Sequence, residues 1–180
     1  MNNSIDQVRD LEGKTVLVAG GTKGIGKAIT TRLLAAGATV IVTARNQPQE
    51  KKIPYHFIAA DLSRIDDTTK VAAEIMKKFD GVDILINNMG ANTLPGGGFS
   101  TLQDQHWYQA LEVNLLSSVR LDRALLPQML EKKSGVIVHI SSTSGQLPIW
   151  ESTMAYSAAK AALNSYSNPW QMNSDLKASG

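Results

Sequence analysis

Two clusters of residues have the types and spacing for chemistry. In Tyr156-Ser157-Ala158-Ala159-Lys160 the phenol and the amine stand four residues apart, which on a helix puts them on one face and within reach of a common ligand. A free phenol titrates near pH 10, too high for ready proton exchange at neutrality, and a nearby ammonium favours the phenolate. The plain alternative is a surface pair whose lysine stem lies along apolar surface. The second cluster is Ala19-Gly20-Gly21-Thr22-Lys23-Gly24-Ile25-Gly26-Lys27-Ala28, which can cradle phosphate in two ways. Read from Gly21 it is nearly a Walker A loop, but Ala28 has no hydroxyl to hold magnesium. Read from Gly20 it is a dinucleotide turn, in which Gly24 and Gly26 let backbone amides and a helix start approach a pyrophosphate. Its spacing differs from G-x-G-x-x-G, since Ile29 stands where the third glycine would be. An ordinary glycine-rich strand-to-helix turn is the remaining reading.

The elements that must position these residues follow from hydrophobic periodicity. Residues 14–19 form a short apolar run ending in glycines, and residues 25–36 have helical spacing closed by Gly37. Buried strands are expected at 39–43, 55–59, 82–86 and 135–140, and amphipathic helices at 66–79 and 104–131, with a further helix starting at Thr153 and running to 166. Apolar strands alternating with helices over short connections predict an α/β protein with a parallel sheet covered on both faces. The Pro95-Gly96-Gly97-Gly98 patch reads as a loop tip.

Composition narrows the function classes. The chain has 180 residues, 43% of them hydrophobic, enough for one domain with a sizeable core. A formal charge of +2 without blocks of like charge does not indicate a nucleic-acid groove. The absence of cysteine excludes disulfides and thiolate chemistry. His56, His106 and His139 are scattered without metal spacing, so no metal is expected and all three read as structural. The polar start and the lack of any apolar run near 20 residues make the cytoplasm the expected location, with no membrane partner.

Taken in order, the glycine turn, Asn87-Asn88-Met89-Gly90 after the fourth strand, Asn114 in the long helix, Ser141-Ser142 after the fifth strand and the Tyr156/Lys160 pair resemble the short-chain dehydrogenase/reductase family over residues 13 to 167. Met89 replaces the usual alanine of the N-N-A-G pattern, and Ser142 lies fourteen residues before Tyr156, within or about one residue above the family's usual range, a difference a loop can absorb. The resemblance implies a single NAD(P)-binding domain over 1–180, with residues 1–12 as a tail, built as a Rossmann-type doubly wound parallel sheet. About five strands are present and the family's last two are missing.

It further implies a catalytic set of Asn114, Ser142, Tyr156 and Lys160. Tyr156 would protonate a carbonyl oxygen as hydride arrives from nicotinamide, Ser142 would bond the same oxygen, Lys160 would also hold the nicotinamide ribose, and Asn114 would position a water beside Lys160. Cofactor contacts would come from Gly20, Thr22, Lys23, Gly24, Ile25, Gly26, Arg45, Asp61, Leu62, Asn88 and Gly90, together with Tyr156 and Lys160. Asp61 would face the adenine amino group, or alternatively turn the chain into the following helix. Asn87 reads as structural, bridging strands.

The end of the second strand, Thr43-Ala44-Arg45, carries no acid to accept the ribose hydroxyls, and Lys23 and Arg45 resemble the two basic positions of NADP-preferring members. NADP(H) is therefore expected over NAD(H), with two solvated surface cations as the alternative. Leu94, Leu147, Ile149, Trp150 and Met154 predict an apolar pocket for a hydrophobic ketone or secondary alcohol. The leading expectation is a ketone–alcohol oxidoreductase. The alternatives are a truncated, inactive member of the family and a dinucleotide-binding regulatory protein. The family's homo-oligomer contact uses the long helix and the tyrosine-bearing helix, and is expected to be compromised here.

Family members run to about 250 residues, and Asn168-Pro169-Trp170 places a proline inside the last helix, at about 3 kcal/mol in a helix interior. Restoring one base before Asn168 allows the reading KSLADELGSKGVR for residues 168–180, a helix running into a turn. An out-of-frame tail is the expectation, checked by reading the gene through that codon. The fifth strand would then be an uncovered sheet edge, prone to association.

Overall fold

The computed structural model describes residues 9–49 and 54–172. Over these, the chain divides into two compact units, Met1–Met89 with Ser117–Ile140 and Gly90–Leu116 with Ser141–Gly180.

The first unit is built on five parallel strands, β1 (Thr15–Ala19), β2 (Thr39–Ala44), β3 (His56–Ala59), β4 (Ile84–Asn87) and β5 (Val136–His139), in the order β3-β2-β1-β4-β5. That is the doubly wound order, with its reversal between β1 and β4. Among the described residues three helices belong to this unit: α1 (Gly24–Ala35), α2 (Ile65–Phe79) and α4 (Ser117–Glu131). Alternation along the strands sorts the side chains onto two faces. Leu17, Ile41 and Leu85 pack with Val71 and Ile75 of α2 and Leu121 and Leu125 of α4. Val16, Val18, Val40 and Val42 pack with Ile29 and Leu33 of α1. Both faces of the sheet are thus covered, as the continuous apolar runs of β1 and β2 require.

Among the described residues β5 is an edge strand, and Val136 and Val138 on it are 52% and 37% exposed.

The second unit holds α3 (Asp104–Leu111), a π-helical turn over Glu112–Leu116, and α5 (Trp150–Met172). Two differences from the sequence expectation concern these helices. The stretch read as one helix over 104–131 is interrupted by the π turn, which hydrophobic spacing alone does not register because apolar residues continue through it. Also, α5 does not stop at Pro169 but extends to Met172, so the proline's missing N–H falls in the last turn of the helix. The remainder of the tail read as out of frame, residues 173–180, lies outside the described residues.

Candidate active site

In the sheet unit, the turn after β1 carries the phosphate-cradle features. Gly20 leaves the strand at φ 77°, its N–H donating to the Thr43 carbonyl. The hydroxyl of Thr30 donates to the Gly21 carbonyl at 3.2 Å, fastening the turn to α1. A side chain at Gly26 would run into the Gly20 carbonyl and the Asn88 amide, so only glycine allows the helix start to lie this close to the strand end. Asn88 supports the same carbonyl: its Nδ2 donates to Gly20 O at 3.0 Å while its backbone N–H donates to Ala19 O at 3.2 Å.

The start of α1 suits an anion. Lys23 is its N-cap and makes no side-chain capping bond, and the first turn holds no acidic residue. Among the described residues, no side-chain cap or first-turn acid meets the first helical N–H groups and the positive end of the dipole. Beside it lies an open cavity of about 710 Å³, lined by Thr22, Lys23, Gly24, Lys27 and residues 46–49. A glycine turn closed to a Cβ at Gly21 and Gly26, an uncapped helix start and a basic-walled cavity fit the diphosphate of a dinucleotide.

Arg45 is exposed and does not line that cavity, whereas Lys27 and the segment 46–49, which the sequence reading did not single out, do. Lys27 was legible, one turn past Lys23 on the helix; the 46–49 segment carries no residue type that marks it. Ile25 is 64% exposed on the first turn of α1. Leu62 is buried in the core, so any contact it makes with a ligand runs through its backbone. Asp61 has the local role named as its alternative: Oδ1 accepts from the Ser63 N–H at 3.1 Å and from the Ser63 hydroxyl at 2.7 Å. Asn87 bridges from β4 to α4, its amide donating to Asp122 at 2.7 Å.

The second unit contains the whole proposed catalytic set. Asn114 sits buried in the π turn, where its Nδ2 donates to Ala110 O at 2.9 Å and Ala91 O at 3.1 Å, and its Oδ1 accepts from the Ala91 N–H at 2.9 Å. The π turn accounts for this reach, because the widened loop frees the Ala110 carbonyl region to take a side-chain donor. Lys160 of α5 is only 2% exposed, and its Nζ lies 3.1 Å from the point where a side chain at Gly90 would begin. The Asn114 Oδ1 lies 3.5 Å from that same point, so Gly90, Asn114 and Lys160 form one cluster. Burial lowers the Lys160 pKa from 10.5 to about 8 by disfavouring its charged form.

Tyr156, half-buried, stands one turn before Lys160 on α5. Ser142 caps a 3-10 turn over Thr143–Gly145, its hydroxyl oxygen accepting from the Ser144 N–H at 3.2 Å. Because that oxygen is engaged as an acceptor, the hydroxyl proton is left to donate elsewhere. The loop rests on α5: a side chain at Gly145 would lie 3.0 Å from the Ala161 nitrogen and the Lys160 carbonyl carbon, and the Ser141 hydroxyl donates to Lys160 O at 3.5 Å.

Of the residues expected to wall a substrate pocket, Leu94 and Met154 line a small cavity of about 10 Å³, while Leu147 and Ile149 are exposed. Trp150 belongs to α5, and its side chain lies outside the described residues. The histidines serve local structure. His56 meets the Phe79 ring edge-on at 4.9 Å, His106 Nδ1 accepts from the Gln103 N–H in a capping box, and His139 pairs with Asp122. No helix among the described residues is long and apolar enough to cross a membrane.

Comparison with known proteins identifies the family. The chain is 39% identical over 165 residues to YvrD, an uncharacterized oxidoreductase of Bacillus subtilis, covering 87% of this chain and 61% of that protein. Among solved structures, a short-chain dehydrogenase from Streptomyces avermitilis superimposes with a TM-score of 0.78 at 36% identity, over 87% of this chain and 59% of its own. The L-sorbose reductase of Gluconobacter frateurii, solved with NADPH and L-sorbose, gives 0.82 at 26% identity, over 92% and 65%. The chain therefore spans roughly three fifths of the length of the relatives it matches. The sequence profile described as short chain dehydrogenase matches residues 14–177. With the doubly wound five-stranded sheet and this match over most of its length, the chain belongs to the short-chain dehydrogenase family.

Proposed function

We propose that this chain carries the cofactor-binding and catalytic parts of an NADP(H)-dependent oxidoreductase that interconverts a ketone and a secondary alcohol. The observation that carries the reading is the buried Lys160 beside Gly90 and Asn114, one helical turn from Tyr156. A cation held in a dry site acts strongly on charge developing at a neighbouring oxygen.

The nicotinamide, when bound, supplies or accepts the hydride. In the reducing direction Tyr156 gives its phenolic proton to the carbonyl oxygen, and the Lys160 ammonium stabilises the phenolate that this leaves. Ser142 orients the same oxygen with its free hydroxyl proton. Asn114 holds the backbone of Ala91, and through it the approach of Gly90 to Lys160. The amides at the start of α1 bind the diphosphate, with Lys23 and Lys27 facing the cavity beside it.

The preference for NADP(H) rests on Lys23, on Arg45 and on the absence of an acidic side chain at residues 43–45, and the NADPH-bound reductase among the structural relatives adds to it. The exposed Leu147 and Ile149 favour an apolar substrate. A chain without cysteine fits a cytoplasmic setting.

The test is NADPH fluorescence titration and NADPH-dependent reduction of a panel of hydrophobic ketones, comparing the chain with Tyr156→Phe. Cofactor binding unchanged by the substitution, with turnover lower by about 10²-fold or more, supports the assignment. No NADPH binding by the chain, or equal turnover by the two forms, overturns it.

A further inference from the structure

The sheet unit buries a second polar cluster that the proposed chemistry does not use. Asp122 of α4 is 1% exposed, and both of its carboxylate oxygens are engaged. Oδ1 accepts from Asn87 Nδ2 at 2.7 Å, and Oδ2 lies 2.9 Å from His139 Nε2. Asn87 and His139 face one another in register as the last residues of β4 and β5. One carboxylate therefore grips the carboxyl ends of two adjacent strands from a helix beneath them.

Such a cluster is not an economical way to fill a core, because buried charge needs full compensation and an apolar replacement often serves as well. Among the described residues the Asn87 Oδ1 has no hydrogen-bond partner, so the amide is turned toward Asp122 at the expense of its own acceptor. The opposite orientation would set that oxygen against the carboxylate. Asp122 thus fixes which way Asn87 faces.

What lies next to this grip is the cofactor cradle. Asn88 follows Asn87 directly and bonds both Ala19 O and Gly20 O, and Ile140 follows His139 and donates to Asn87 O at 2.9 Å. We infer that Asp122 and His139 are positioning residues: together they clamp the ends of β4 and β5 so that Asn88 holds the Gly20 carbonyl and keeps the turn shaped for a diphosphate. The inference rests on the proposed dinucleotide site.

Three variants test it by amide hydrogen exchange and NADPH titration. Asp122→Ala lowers exchange protection at Asn88 and Ile140 about tenfold more than at the β1 and β2 amides, and weakens NADPH about tenfold. Met129→Ala, a core truncation further along α4, lowers protection evenly and leaves NADPH affinity as it was. Asp122→Asn keeps both properties near the native values, since its oxygen still accepts from Asn87 and its amide donates to His139 in the other tautomer. Where Asp122→Ala gives no folded protein, His139→Ala against His139→Asn carries the same comparison. Asp122→Ala behaving like Met129→Ala, or Asp122→Asn failing as badly as Asp122→Ala, overturns the clamp. Absence of NADPH binding by the native chain overturns the proposed function instead, and the exchange pattern still decides the clamp.

Discussion

Asn114 grips the backbone of Ala91 at both ends, donating to its carbonyl and accepting from its N–H. With the further bond to Ala110 O, the side chain makes three hydrogen bonds from a buried position. Asn114→Leu removes all three and leaves the Ala91 groups unpaired, which should destabilise the chain by about 2–4 kcal/mol. Urea unfolding measures this. A loss below about 1 kcal/mol would show that the grip is ornamental, and Asn114→Asp, which keeps only the acceptor, should fall between the two.

Lys160 gives a pH signature. Its pKa is about 8 in the folded chain against 10.5 when exposed, so between these values the unfolded state binds more protons. Stability contributed at this site therefore rises with pH from 8 to 10.5, and the full penalty for burying the ammonium is present below 8. Relative to Lys160→Met, the native chain should gain about 3 kcal/mol across that window. Turnover that depends on the ammonium should decline over the same range, starting as pH passes 8. A constant stability difference between the two proteins from pH 7 to 10 contradicts this account.

Gly145 sets the height of the serine loop above α5. A methyl group there must push against the Ala161 nitrogen and the Lys160 carbonyl carbon, which are backbone atoms that cannot swing aside. Gly145→Ala should shift Ser142 by a few tenths of an ångström and lower kcat about tenfold, with cofactor affinity held. Kinetics paired with NADPH titration separates these, and unchanged kcat would remove the loop from the catalytic geometry.

Under the proposed preference for NADP(H), Arg45 and Lys23 set which cofactor is chosen. Replacing Arg45 by Asp supplies an acceptor for ribose hydroxyls and repels a 2′-phosphate, so the NADPH-to-NADH affinity ratio should fall by about 10–100-fold. Lys23→Ala should reduce the same ratio by a smaller factor. Equal titration curves for the two cofactors in all three proteins would dissociate these cations from the phosphate.

Much of this was legible in the sequence because it is written in short-range patterns. The apolar runs of β1 and β2 name buried strands, and the spacing of Tyr156 and Lys160 names a helix face. The π turn at Glu112–Leu116 was not, since what distinguishes it is a contact, Asn114 bonding Ala91, twenty-three residues away in sequence. The Asp122 clamp escaped for the same reason. Its partners lie on two strands, and each taken singly looks like an ordinary polar residue near a strand or helix end. Asp61 shows the converse: the sequence admitted both a ligand contact and a chain turn, and Ser63 makes the second one visible.

The bare opening of α1 has a thermal consequence. α2 carries Asp66 and Asp67 in its first turn, whereas α1 begins on a lysine and has no acid there, so it lacks the electrostatic support that its neighbour enjoys. Fraying on warming should begin at residues 24–27, and millimolar pyrophosphate should delay it while leaving the α2 terminus indifferent. A guest bound there would supply the first turn's counter-charge, making the order in which the two helices melt a gauge of occupancy.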